Sequence, residues 1–374
     1  MKEICKLGFQ HNIINTMKEK EFINIIKDVI GTEYIGDDCA YLRDLGIVIS
    51  QDSLVEDVHF KREFCTPFQL GYKSVMVNIS DICASGAKPE YLTSSLSLPN
   101  DIDVDFVKKF YEGAKYACEI CSTPNGEVRR GSIQIVGGDI TSADKIYISV
   151  CAIGNTKGRN ISSRKNAQEG YKVVVCGLHG SSAAGLKLLL NGANEPQKFI
   201  KAHLEPKAQI EFSQQISTFY HSEGVRPKNL SPCAEFMPYA MMDTSDGLMD
   251  ALSAIANESG VLLEVDFDKI PYDKDIEQFD KWQDMVLFGG EDYGLVAVVP
   301  QDFELGVQIG VAKKGLGVDL VYSDSVILSE EKAILRAEAL RMTKAKNLTQ
   351  NKDKHTIHYS KQDVENKIFN HFNI

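Results

Sequence analysis

The sequence predicts two α/β domains, and three observations carry that expectation. Segments patterned as strands alternate with segments patterned as helices in both halves of the chain. At 374 residues the chain is longer than one compact core usually accommodates. Near residue 155 the composition turns polar, basic and glycine-punctuated, in "NTKGRNISSRKNAQEG", as a crossing between domains does.

The elements follow in order. Residues 12–30 place Ile13, Ile14, Met17, Phe22, Ile25, Ile26 and Val29 at helical spacing, stopped by Gly31. "GIVIS" at 46–50 reads as a buried strand that delivers Asp52 at its C-terminal end. Pro67 opens a helix reaching Gly86, on which Asn78 and Asp81 share a face. "EYLTSSLSLP" reads as a strand and 102–121 as a helix. "SIQIVGGD" and "KIYISVCAIG" are two further strands, the first ending at Asp139. Beyond the crossing, "YKVVVCG" is a strand followed by an Ala- and Leu-rich helix from about 181 to 191. "AMMDTSDGLMDALSAIANESG" is a strand turning directly into a helix at Asp246, and "VLLEVDF" and "YGLVAVVP" supply more strands. The expected domains are 1–155 and 156–328, with 329–374 an appended helix, a polar linker and a C-terminal segment.

Composition narrows the function. Hydrophobic residues at 43% and charged residues at 25% are ordinary for a globular protein. A net charge of −11 argues against general nucleic-acid binding, which needs clustered Lys and Arg. It suits a protein whose carboxylates are neutralised by metal ions. No apolar run approaches the roughly 20 residues of a membrane span. The N-terminal stretch carries charges throughout and lacks a signal-peptide core. Nine cysteines without framework spacing point to reduced cytoplasmic thiols. Cys118 and Cys121 form one CxxC with no second pair, which reads as packed thiols.

The acids are placed with a pattern. Asp37 and Asp38 follow a glycine turn, and Asp52 ends a strand. Asp81 sits on a helix with Asn78, and Asp139 follows Gly137 and Gly138. Asp243 and Asp246 flank a strand-to-helix turn, and Glu291 and Asp292 follow Gly289 and Gly290. Ligands of open α/β sheets bind at strand ends, and Mg²⁺ takes carboxylate oxygens while keeping positions open for phosphate. Together these placements point to a multi-metal phosphate site. "GSSAAGLK" at 180–187 nearly matches a P-loop, but Leu186 stands at the lysine position, so it reads as a tight strand-to-helix turn. His59, in "SLVEDVHF", is placed to contact an anionic substrate, and Arg164 near the crossing to help bind phosphate.

The motifs "GDDCA", "DSLVEDVHF", "GYKSVMVNISDICASGAKPEYLTSSLSLP", "GGD", "GSSAAGL", "MDTSDGL" and "GGEDYGL" resemble, in order and rough spacing, those of thiamine-monophosphate kinases. That family is related to aminoimidazole ribonucleotide synthetase and selenophosphate synthetase. The resemblance covers about 30–312, and "KIFNHF" at 367–372 looks like the ending of the same kinases. It implies a two-domain synthetase-like fold whose N-terminal domains dimerise, their strands forming a shared barrel with ATP sites at its edges. It also implies transfer of the γ-phosphoryl group of ATP to thiamine monophosphate, with several Mg²⁺ ions. By resemblance, Asp38, Ser50, Asp52, Asp81, Asp139, Asp243 and Asp246 are the Mg²⁺ ligands. Gly138, Asp139, Arg164 and Ser245 are the ATP contacts, and His59, Glu291 and Phe369 hold the thiamine phosphate. Gln51 and Ile140 depart from the family's usual threonines, and 122–131 reads as a loop insertion.

The acceptor is a phosphate monoester, already ionised near neutral pH, so no acid, base or covalent residue is expected. The difficulty is to bring two polyanions together and align them, which metal ligands accomplish. Direct in-line transfer follows. The competing expectations are another ATP-dependent synthetase of the same superfamily, or a nucleotide sensor without turnover.

Overall fold

The computed structural model describes residues 16–32, 34–122, 133–219, 237–323 and 354–371. The helix expected near 329 and most of the 122–131 insertion lie outside these residues. The first helix, α1 (Thr16–Ile30), precedes a five-stranded sheet of β1 (Ala40–Leu42), β2 (Ile47–Val55), β3 (Lys88–Leu98), β4 (Gln134–Ser142) and β5 (Tyr147–Asn155). Its order is β1-β2-β5-β3-β4, antiparallel except for the parallel β3–β4 pair.

Helices α2 (Pro67–Ser85) and α3 (Val104–Ser122) cover one face of this sheet. Alternation decides which side chains meet them: Val48, Ser50 and Leu54 of β2 point inward, while Gln51 and Ser53 point to the open face. Thr66 and Gln69 form a capping box at the start of α2, Pro67 takes the first turn, and left-handed Gly86 (φ 81°) ends it.

The two helices approach through glycine. A Cβ on Gly113 would stand 1.9 Å from the Phe68 carbonyl oxygen, and one on Gly71 equally close to that of Phe110. We predict that Gly113→Ala costs about 3 kcal/mol, the upper end of overpacking penalties. An unchanged denaturant midpoint would refute that packing argument.

The second sheet holds β6 (Lys172–Cys176), β7 (Ala240–Asp243), β8 (Leu262–Asp266), β9 (Leu295–Val299), β10 (Val307–Lys313), β11 (Gly317–Ser323) and β12 (Lys354–Tyr359). Its order is β12-β11-β8-β10-β6-β9-β7, with only β11–β8 parallel. Around it lie α4 (Ser181–Leu190), α5 (Gln197–Leu204), α6 (Ile210–Thr218), α7 (Leu248–Ser259), α8 (Trp282–Phe288) and α9 (Lys361–His371). Lys354–Tyr359, within the stretch that reads as polar linker, is an edge strand paired with β11; His355, Ile357 and Tyr359 alternate with polar residues there.

Every residue of β9 is buried, because the strand faces two cores. Val296 and Val298 join Val173 and Val175 in a core with α7 and α8. Leu295, Ala297 and Val299 join Val174 and the residues of α2 in the other. α2 is therefore enclosed between the two sheets, and almost all of it beyond its first turn is buried. Its polar residues Lys73, Ser74, Asn78 and Ser80 must find partners inside the protein. Two expected strand ends move: Asp52 lies within β2 and Asp139 within β4, because both strands continue past the acid.

Candidate active site

Four carboxylates from four parts of the chain meet beside α2. Asp243, fully buried at the end of β7, accepts from Ser80 Oγ at 2.6 Å and Ser245 Oγ at 2.8 Å. Asp81 of α2 accepts from Ser50 Oγ of β2. Asn78, one helical turn earlier, accepts from the Asp52 backbone N–H at 3.0 Å and so fixes β2 against the helix. Asp38 is bound by the Arg164 guanidinium.

Their charges act on one another. Burial pushes Asp38 up to about 7, with Asp243 and Asp37 adding to the rise and Arg164 opposing it. Asp81 is held well above the carboxylate range by burial first, then by Asp243, Asp52 and Asp38. Asp52 is raised by burial and Asp243, and Asp243 by burial despite its two serine partners. Crowded oxygen donors with one guanidinium among them are a set that hard divalent cations would relieve. The donors are carboxylate and hydroxyl oxygens, which fits Mg²⁺. Among the described residues no three His, Cys, Asp or Glu side chains converge on one ion position. Such ions would therefore keep water or phosphate oxygens as further ligands, as Mg²⁺ commonly does.

The doublet at 37–38 divides its work. Asp37 accepts from Ser163 Oγ and the Arg164 backbone N–H, each at 2.8 Å, and pins the crossing segment against the first sheet. Asp38 then meets the Arg164 side chain, whose buried Nε has no partner among the described residues. A buried donor left over is costly and marks a place for an acceptor.

Asp246 lies exposed just beyond Ser245, at the turn into α7. That turn is tied to the loop 289–294: Glu291 N–H donates to the Ser245 carbonyl at 2.7 Å, and Thr244 and Gly294 exchange backbone and hydroxyl bonds. Gly290 is required there, since a Cβ would stand 2.7 Å from the Ser245 carbonyl oxygen. His59 accepts from the Val55 N–H through Nδ1 at 3.0 Å, so its neutral ring carries the proton on Nε2. Glu291 and Lys73 lie close enough to act on its charge.

Gly138 and Asp139 stand apart. They line a shallow depression on the open face with Gln51, Thr93, Ser95, Ser149 and Cys151. Three strand spacings separate β4 from β2, roughly 14 Å at the usual 4.8 Å per strand. Gly138 also has a packing reason: a Cβ would stand 1.9 Å from the Ser94 carbonyl oxygen. Ile140 is exposed on the same edge strand. Phe369 falls on α9, and its side chain lies outside the described residues.

The reading of 180–187 as a turn rather than a phosphate loop has a direct cause. Asp292 accepts from Gly180 N–H at 2.5 Å and Ser182 N–H at 2.8 Å, so the start of α4 already holds a carboxylate. Cys118 and Cys121 are packed thiols; burial pushes Cys118 up to about 12. The sequence reading missed Lys73, Ser80 and His203. The signal for Lys73 was present: a lysine inside the otherwise uncharged first half of a buried helix needs a carboxylate partner.

Residues 36–156 match the family model described as AIR synthase related protein, N-terminal domain. The thiamine-monophosphate kinase of Aquifex aeolicus (strain VF5) is 32% identical over 320 residues, 82% of this chain and 94% of that protein. The chain belongs to the thiamine-monophosphate kinase family. The Bacillus subtilis (strain 168) member is 32% identical over 279 residues, covering 72% of this chain and 78% of its own length. The solved structure described as AaThiL complexed with AMPPCP and TMP superposes with a TM-score of 0.68 at 32% identity, covering 81% of this chain and 93% of that one. No helix among the described residues is long and apolar enough to cross a membrane.

Proposed function

We propose that this enzyme transfers the γ-phosphoryl group of ATP to thiamine monophosphate, giving thiamine diphosphate and ADP. The observation that carries the reading is the meeting of Asp38, Asp52, Asp81 and Asp243 beside Ser50, Ser245 and Arg164. A set of mutually repelling acids suits neither a packing role nor simple nucleotide storage. The relative solved with an ATP analogue and TMP supports the choice of substrates.

Mg²⁺ bound by Asp38, Ser50, Asp52, Asp81, Asp243 and Asp246 would supply charge neutralisation for the two polyanions. The chain's own residues do the rest. Arg164 offers its unpartnered Nε to a phosphate oxygen of ATP, and Ser245 stands beside Asp243 to contact the nucleotide. His59 presents Nε2–H toward the acceptor phosphate, and Glu291 holds the thiamine portion. The acceptor oxygen is ionised, no protein nucleophile is required, and transfer is in line. Rapid quenching after mixing with labelled ATP should leave the protein unlabelled; a covalent phosphoprotein would overturn direct transfer.

The reading includes a homodimer through the open face of the first sheet, where Tyr91 and Tyr147 are exposed. Gly138 and Asp139 lie on that face, so they belong to the ATP and Mg²⁺ set only through such pairing. A monomer by light scattering at assay concentrations would remove both from the site. The activity itself is tested by coupled ADP release with thiamine monophosphate, against aminoimidazole precursors and selenide. Turnover with one of the latter alone would transfer the chain to another synthetase class.

A further inference from the structure

Lys73 is 4% exposed, on a helix enclosed by two sheets, and a lysine so placed is rarely without a task. Its Nζ stands 3.1 Å from Glu291 Oε2. His203, on α5 and 5% exposed, brings Nδ1 within 3.1 Å of the same oxygen, with Ser182 Oγ 3.0 Å from that nitrogen. The hydrogen bond at Nδ1 is the one to Ser182, and Glu291 Oε2 stands against the same edge of the ring. Burial pushes His203 down to about 4, and the ring is neutral at pH 7. Both contacts fall on Oε2 and neither on Oε1. The carboxylate is thus divided, with one oxygen fastened from two sides and the other left over.

The backbone reinforces that division. Glu291 and Tyr293 both occupy the left-handed region, at φ 64° and 50°. Non-glycine residues hold such angles only where the surroundings enforce them. Asp292 between them is fastened to the start of α4, so its neighbour Glu291 is turned the other way, toward Lys73 and His203. The Glu291 side chain is 24% exposed against 5% for Lys73, so the glutamate alone of this ion pair reaches toward the opening.

We propose that Lys73 and His203 are positioning residues that fasten Glu291 by Oε2 and thereby present Oε1 to the amino-bearing, cationic heterocycle of the phosphate acceptor. Lys73 is too enclosed to reach an acceptor itself. Its charge keeps Glu291 ionised, and the His203 ring, held by Ser182 against Oε2, limits the rotation of the carboxylate. The inference rests on the function proposed above and adds to it the residues that set acceptor recognition.

The test uses the full-length enzyme with Mg²⁺, ATP and thiamine monophosphate, and compares steady-state constants. Lys73→Met is expected to raise the acceptor KM about tenfold, with kcat and the KM for ATP within about twofold of the parent. Glu291→Gln should likewise raise the acceptor KM, and the double variant should be no worse than either single one, because both changes disable one unit. His203→Ala should also raise the acceptor KM. His203→Asn, whose side-chain amide can place a polar group where Nδ1 stands, should restore it. Should Lys73→Met fail to fold, the His203 pair decides alone. Additive effects of Lys73→Met and Glu291→Gln, or an Asn variant as impaired as the Ala variant, would show a merely structural role and overturn the inference. No turnover by the parent enzyme would instead defeat the function reading. A Glu291→Gln enzyme with unchanged acceptor KM would defeat the placement of Glu291, separately from Lys73.

Discussion

Asp52→Asn is expected to lower turnover by about a thousandfold or more while leaving the protein folded. The size follows from the role: charge neutralisation in a phosphoryl-transfer site is the main contribution the protein makes, and removing one such group commonly costs two to three orders of magnitude or more. The fold should tolerate the change because Asp52 is the most open of the four acids and its backbone, not its carboxylate, is what Asn78 holds. Its charge is opposed by Asp243 in the absence of cations, so the amide relieves repulsion. Steady-state ADP release and a thermal melt on the same preparation check both halves. A variant with turnover within about tenfold of the parent would remove Asp52 from the machinery.

Mg²⁺ alone is expected to raise the unfolding temperature of the ligand-free protein, and chelation to reverse the rise. Asp81 is raised by desolvation and then by its acidic neighbours, Asp243 by desolvation, and a bound cation would offset both costs. A ligand at a hundred times its dissociation constant stabilises the native state by about 2.7 kcal/mol. For a chain of this length that corresponds to a shift on the order of several degrees. Asp81→Asn should shrink the shift more than it changes the melt without metal. An Mg²⁺-independent melting temperature, with and without an ATP analogue, would contradict the assignment of these acids to cations.

Much of the site was legible in the sequence because its elements are local. The glycine turns mark Asp38, Asp243 and Glu291 at chain reversals, and helical spacing puts Asn78 and Asp81 on one face. Asp37 and Asp38 divide in the structure, Asp37 holding the crossing segment and Asp38 facing the other acids. What the sequence could not show depends on contacts far apart in the chain. Lys73 and Glu291 are separated by 218 positions, and Ser80 and Asp243 by 163. No local pattern encodes those pairings. Asp52 and Asp139 were misplaced at strand ends because strand length is set by neighbouring strands: β2 runs on to pair with β5 through Val55, and β4 with β3 through Ser142. The edge strand Lys354–Tyr359 was unreadable for the same reason, since its lysine- and histidine-rich sequence becomes a strand only against β11.

The most direct test of the central claim follows the label from [γ-³²P]ATP with the purified protein, Mg²⁺ and thiamine monophosphate. The account predicts labelled thiamine diphosphate formed in step with unlabelled ADP, at about a thousandth of that rate or less with the Asp52→Asn variant. Label appearing only as inorganic phosphate, or no consumption of ATP in the presence of thiamine monophosphate, would contradict it.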